Sequence, residues 1–236
     1  MTLLAPLKTQ EDDTATAWAR NTQPCAEPEI VLDLSRLLSR VLHPTPTGVD
    51  RVEMAYAQGL LRLAPARVNF AAYHPSGLHG RLPRAAVEDF LDLTAQRWDR
   101  EGQGESTVRR LHRAALSCLT LAPRPLAAGN GGPRVYLYPS ARGLERRGRL
   151  ESALRREKAR LVPFVHDLIP LEHPEYARPA GAERYARKLE TVAALASGIL
   201  CNSNATARAL VAHLAARGRS IPVRAARLGA TFHPDP

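Results

Sequence analysis

Five short apolar runs, regularly interrupted by helical stretches, constrain this chain more than any other feature. EIVLDL (29–34), RVNFAAY (67–73), RVYLY (134–138), LVPFV (161–165) and GILCNS (198–203) read as strands, and IPVRAARLG (221–229) starts a sixth. The intervals carry a different period. VDRVEMAYAQGLLRL (49–63) sets Val49, Val52, Ala55, Tyr56, Leu60 and Leu63 along one helical face. GLERRGRLESALRREKA (143–159), a stretch near 180–196 and NATARALVAHLAARG (204–218) are also helical, the last with Asn202 or Ser203 placed as N-cap. From 79 to 130 the pattern is helical and strongly basic, closing on a flexible GNGGP turn at 129–133. Strands alternating with helices predict an α/β fold: a Rossmann-like, doubly wound parallel sheet. Residues 1–28 are polar and aperiodic, with Pro24 and Pro28, and are expected to form a disordered lead-in to one domain over 29–236.

In an open parallel sheet, ligands sit beyond the carboxyl ends of the strands. FVHDLIPLEHPEY (164–176) ends a strand on His166 and Asp167, then runs into a loop stiffened by Pro170 and Pro174, which bar an ordinary helix there. These two residues have a plain reading, a loop histidine bound to backbone beside a turn-forming aspartate, and a functional one. The loop TPTGVDRVE (45–53) should share that sheet edge. It is either a turn with Asp50 favouring the helix dipole, or a backbone nest at Thr47 and Gly48 for a phosphate or sugar hydroxyl, with Arg51 nearby. Pro139 and Ser140 follow the third strand, and Asn202 and Ser203 the fifth.

Several chemistries lack their signatures. No GxGxxG follows the first strand, and GxxxxGK[ST], GxSxG and HExxH are absent, which argues against dinucleotide dehydrogenases, P-loop NTPases, ordinary α/β-hydrolases and zincins. His166, Asp167, Glu172, His173 and Glu175 are crowded, but their spacing fits no familiar ligand pattern, and no metal is expected. Cys25, Cys118 and Cys201 are far apart, which suits a reducing cytoplasm better than a disulfide framework. The N-terminal apolar run is too short for a signal peptide, and nothing approaches the roughly 20 apolar residues of a spanning helix.

The net charge of +10 is almost all arginine, with lysine only at 8, 158 and 188, and it favours anionic partners. Arg109, Arg110 and Arg113 with Leu111, Leu116 and Leu119 form either a solvated face or a docking surface for an anionic membrane. Nucleic acid is not expected, since no recognition module or aromatic stacking motif accompanies the charge.

DLSRLLSR with TGVDRVEMAY (33–56), FVHDLIPLEHPEY (164–176), ILCNSNATARAL (199–210) and RLGATF (227–232) together resemble a bacterial family 4 glycosyltransferase of the TGIDRVE-bearing subgroup, associated with cell-surface polysaccharide assembly. The resemblance spans about residue 29 to the end. It implies the acceptor-side half of a two-domain GT-B fold, metal-independent and without a cofactor, with a nucleotide sugar as donor and a saccharide or lipid-linked saccharide as acceptor. By the same resemblance Gly48 faces the donor phosphates and His166 the donor sugar. Asp167 orients its loop, Asn202 and Ser203 line the cleft, and Arg51 assists phosphate or acceptor binding. The family's donor-binding second domain is not in this sequence, so the chain is expected to be inactive without a donor-domain partner, in the cytoplasm or at the inner membrane face. The alternative is a non-catalytic interaction domain that docks a partner glycosyltransferase or glycan.

Overall fold

A computed structural model describes residues 27–43, 45–74, 77–99, 107–124 and 132–229, without the side chains of Asp99, Thr107, Arg110, Leu111 and Cys118. The expected lead-in up to residue 26, most of the GNGGP turn, Cys25 and the end of RLGATF lie outside the described residues, as do the side chains of Arg110 and Leu111 in the basic segment.

The sheet has seven strands: β1 (Glu29–Asp33), β2 (Val68–Tyr73), β3 (His79–Arg81), β4 (Arg134–Tyr138), β5 (Ala159–Val165), β6 (Ile199–Cys201) and β7 (Val223–Ala225). Their order is β3-β2-β1-β4-β5-β6-β7, and every pairing is parallel except β2 with β3. The helices are α1 (Ser35–Ser39), α2 (Gly48–Leu63), α3 (Arg84–Asp99), α4 (Thr107–Thr120), α5 (Arg147–Glu157), α6 (Ile169–Glu172), α7 (Gly181–Leu195) and α8 (Asn204–Ala215). Successive strand residues point to opposite faces, so the sheet feeds two cores. On one side Val31, Tyr136, Tyr138 and Leu161 meet Leu150 of α5, Leu189 and Val192 of α7, and Leu210 of α8. On the other, Leu32, Phe70 and Leu137 meet Leu37, Met54 and Ala57, and Val87 and Leu91 of α3. Helices on both faces of a mainly parallel sheet make the Rossmann-like arrangement that the alternation predicts.

Three local expectations are corrected. The segment from 79 opens not as helix but as an antiparallel edge strand. Gly77 turns the chain at φ 86°, and a Cβ on Gly80 would lie 2.7 Å from the Arg124 carbonyl oxygen, so only glycine admits this close approach. The buried face of α2 is Asp50, Val52, Glu53, Met54 and Ala57, while Leu63 is 78% exposed. The two acids turn inward because α1, not foreseen from sequence, brings Arg36 and the Leu37 amide against them. After β5 the prolines allow one helical turn, with Pro170 in its first turn where no intrahelical N–H is needed, then a 3₁₀ turn over Pro174–Tyr176.

At the amino ends of the strands an ion network closes the sheet. Arg81 binds Glu157 and Glu29, and Arg134 binds Glu29 and the Glu157 carbonyl oxygen. The opposite, carboxyl edge is left to the loops. Outside the sheet, α4 exposes Val108, Leu116 and Leu119. No helix among the described residues is long and apolar enough to cross a membrane.

Candidate functional site

The chain leaves β1 toward β2 on one side and later toward β4 on the other, so the order reverses between β1 and β4. Connections then diverge to opposite faces and open a crevice at the carboxyl ends. A cavity of ≈ 730 Å³ lies there, walled by Ser35, Arg36 and Ser39 after β1, Tyr73 and His74 at the end of β2, the loop 141–146 after β4, and α7. Its charge is lopsided: Arg36, Arg142, Arg146, Arg149, Arg184 and Lys188 stand against one carboxylate, Glu145. Arg36 is engaged by Asp50 at 2.6 Å and by the Thr47 hydroxyl. Lys188 lies 3.9 Å from Glu145, an ion pair too long to be a hydrogen bond. Burial and the surrounding arginines hold the Lys188 ammonium below its ordinary pKa, against the opposing pull of Glu145.

The floor of the crevice is a buried polar network. Asp33, at the end of β1, accepts from the Ser35 amide at 2.9 Å and from the Tyr136 hydroxyl at 2.7 Å. Because Tyr136 donates to Asp33, it accepts from His79 Nε2, 2.7 Å away, which fixes the Nε2–H tautomer and leaves Nδ1 to face the Arg156 guanidinium at 3.4 Å. Burial, opposed by these hydrogen bonds, pushes Asp33 up to about 6. Burial and the charges of Arg156 and Arg81 bring His79 down to about 4. Glu53, fully buried, is raised well above the carboxylate range by burial and by Asp33. One oxygen takes the Leu37 amide; the other has no partner. The Ser35 hydroxyl accepts from the Tyr73 amide at 2.9 Å, tying the ends of β1 and β2 together. The Tyr73 hydroxyl is buried and unpartnered, and its pKa is pushed up to about 12 by burial.

His166 lies one strand over, half-buried at the end of β5. Its Nε2–H donates to the Pro139 carbonyl oxygen at 2.8 Å, and its ring packs on Phe164. Burial lowers its pKa despite the Pro139 hydrogen bond and nearby Asp167, so the ring is neutral near pH 7 with Nδ1 as its acceptor. The Asp167 carboxylate accepts from the Ile169 amide two residues on, and its carbonyl oxygen takes the Tyr185 hydroxyl of α7. Tyr185 sits one turn from Lys188, so α7 links the His166 loop to the cationic wall.

Asn202 and Ser203 join His166 through Thr206, which the sequence reading missed. The Thr206 hydroxyl is 3.1 Å from the Asn202 amide oxygen, 3.0 Å from the Ser203 hydroxyl and 3.4 Å from the His166 carbonyl oxygen. Ser203 is the N-cap of α8. With Arg227 and Leu228 the pair also lines a second cavity of ≈ 520 Å³.

The TPTG loop is arranged differently. Thr47 and Asp50 form a reciprocal capping box, the Thr47 amide donating to Asp50 Oδ2 at 2.7 Å. The negative charge at the start of α2 is thus Asp50 itself, held below the usual carboxylate range by the Thr47 hydrogen bonds and Arg36, which outweigh burial. Gly48 is exposed with open space around its α-carbon, and Arg51 is exposed; Val49, in the first turn of α2, is the residue of this motif that reaches the crevice. In the crowded 166–175 segment His173 and Glu175 pair with each other. Among the described residues no three His, Cys, Asp or Glu side chains are grouped to hold a metal ion.

Arg142, Arg146, Arg149, Arg184 and Lys188 carried no weight in the sequence: Arg146, Arg149, Arg184 and Lys188 lie in stretches read only as helices, and Arg142 lies in the short link between the third strand and the next helix. Comparison with family models, curated proteins and solved structures finds no significant match.

Proposed function

We propose that the chain is the acceptor-side domain of a glycosyltransferase moving a sugar from a nucleoside-diphosphate sugar to a saccharide acceptor. One observation carries the reading: a roomy cationic crevice at the switch point of a parallel sheet, next to a strand that ends on a neutral, backbone-anchored histidine. The motif order from DLSRLLSR to RLG supports it from the sequence side. The division of labour is chemical. Glycosyl transfer expels a diphosphate, whose charge needs fixed cations, and it exposes a sugar ring that needs neutral hydrogen-bonding partners. His166, locked by Pro139, offers Nδ1 to a sugar hydroxyl, and Asp167 and Thr206 hold its loop. A donor-binding domain completes the active site. Contact of α4 with an anionic membrane, through exposed Val108, Leu116 and Leu119, belongs to the same reading.

The test is acceptor-dependent release of nucleoside diphosphate, from a panel of sugar nucleotides, by the protein together with its donor-binding domain. His166→Ala is expected to cut the rate by about 100-fold, the scale of one lost transition-state hydrogen bond. A rate untouched by that substitution removes His166 from the site. Absence of acceptor-dependent release across the panel sinks the reading.

A further inference from the structure

The crevice holds far more positive charge than an uncharged saccharide requires. Among the described residues, no ion pair or hydrogen bond occupies the guanidinium groups of Arg142, Arg146, Arg149 and Arg184. Three of them project from one short stretch at the start of α5. That stretch carries no acid in its first helical turn, so the cations gather at the helix end where the backbone dipole is already positive. These side chains are exposed, and the one anion among them, Glu145, lies against Lys188, so their guanidinium groups are left to a ligand or to solvent. The geometry is also held in place. Gly143 turns the loop at φ 82°, and the Tyr138 hydroxyl is tied to the Arg142 carbonyl oxygen. From the facing wall, Arg184 and Lys188 stand one turn apart on α7.

We propose that this crevice is a subsite for a diphosphate ester, clasped by Arg142, Arg146 and Arg149 on one wall and by Arg184 and Lys188 on the other. A single carboxylate or phosphate would leave most of these cations unmatched. A diphosphate spreads its charge over several oxygens and suits the guanidinium fork, which binds phosphate oxygens in pairs. The cavity leaves room for the alcohol that the diphosphate esterifies. Two sources share this chemistry, a lipid-borne diphosphate carrying the acceptor saccharide and the diphosphate of a nucleotide. The assignment of a source rests on the glycosyl-transfer reading; the anion site itself does not.

The experiment is isothermal titration calorimetry on the full chain at low salt with inorganic pyrophosphate, then UDP and geranyl diphosphate, with glucuronate as a carboxylate control. Pyrophosphate is expected to bind, and glucuronate to bind at least about tenfold more weakly. Arg146→Ala and Arg149→Ala are each expected to weaken pyrophosphate by about tenfold, as loss of one charge-assisted contact does. Arg147→Ala is the control, because Arg147 is on the same helix but pairs with Glu151 outside the crevice. It should leave affinity unchanged. Tighter binding of geranyl diphosphate supports the site and assigns it to a lipid-borne acceptor; tighter binding of UDP supports the site and assigns it to the nucleotide. No pyrophosphate binding, equal binding of glucuronate, or an Arg147→Ala loss equal to that of Arg149→Ala overturns the proposal. All three are scored without any transfer assay, so they fail independently of the glycosyltransferase reading.

Discussion

Replacing Asp33 by Asn tests whether the floor beneath the crevice is as dry as its hydrogen bonds imply. Asp33 is 1% exposed and its pKa stands at about 6 against an ordinary 3.8. The folded protein therefore holds this proton more tightly than the unfolded chain does. Its stability falls as pH rises through the window from about 4 to 6, and the difference between the two pKa values corresponds to about 3 kcal/mol. Asn is neutral throughout, and its amide oxygen can still accept from the Ser35 amide. The stability of Asp33→Asn relative to the native sequence should thus improve by about 3 kcal/mol between about pH 4 and pH 7.5. The pH curve of the native protein would not isolate this effect. Glu53, also raised, adds a loss of the same sign, while His79, lowered to about 4, gains stability as pH climbs toward its ordinary 6.5. The difference between variant and native cancels the His79 contribution and all of the Glu53 contribution except the part that the Asp33 charge imposes, which has the same sign as the Asp33 effect. Urea denaturation followed by far-ultraviolet circular dichroism at a series of pH values gives it directly. A difference flat to within about 0.5 kcal/mol would mean that Asp33 ionises like a solvated carboxyl, and the sealed floor would be refuted.

Other expectations are local. Tyr136→Phe removes the donor to Asp33 and the acceptor for His79 at once, and should cost about 1–3 kcal/mol in urea denaturation. Glu157→Ala removes one of the two carboxylates that hold the partly buried Arg81 at the amino end of the sheet, leaving Glu29, and should cost about 1–3 kcal/mol, most of it recovered when Arg81→Met accompanies Glu157→Leu. Ser203→Ala removes the cap of α8 and should cost about 1 kcal/mol, with Ser203→Asp nearly neutral, read by hydrogen exchange over the first turn of α8.

Local patterning carried much of this protein. Alternation of short apolar runs with helical periods determined a doubly wound parallel sheet, because a strand buried on both faces must be apolar throughout and parallel neighbours need crossovers. The same order put His166 and Ser203 at strand ends on the carboxyl edge of the sheet, and of the two N-cap candidates, Asn202 and Ser203, the structure uses Ser203. Tertiary structure alone decided what the site contains. Arg36, Arg142 and Lys188 belong to three separate segments, none of them singled out as a site residue from sequence, and only the switch between β1 and β4 turns them toward one cavity. The inward turn of Asp50 and Glu53 was equally hidden. A helical acid reads as solvent-facing until the fold supplies its partner, here Arg36 for one and the Leu37 amide for the other, both from the short helix after β1. Periodicity is set by neighbours in the chain, whereas charge is satisfied by neighbours in space.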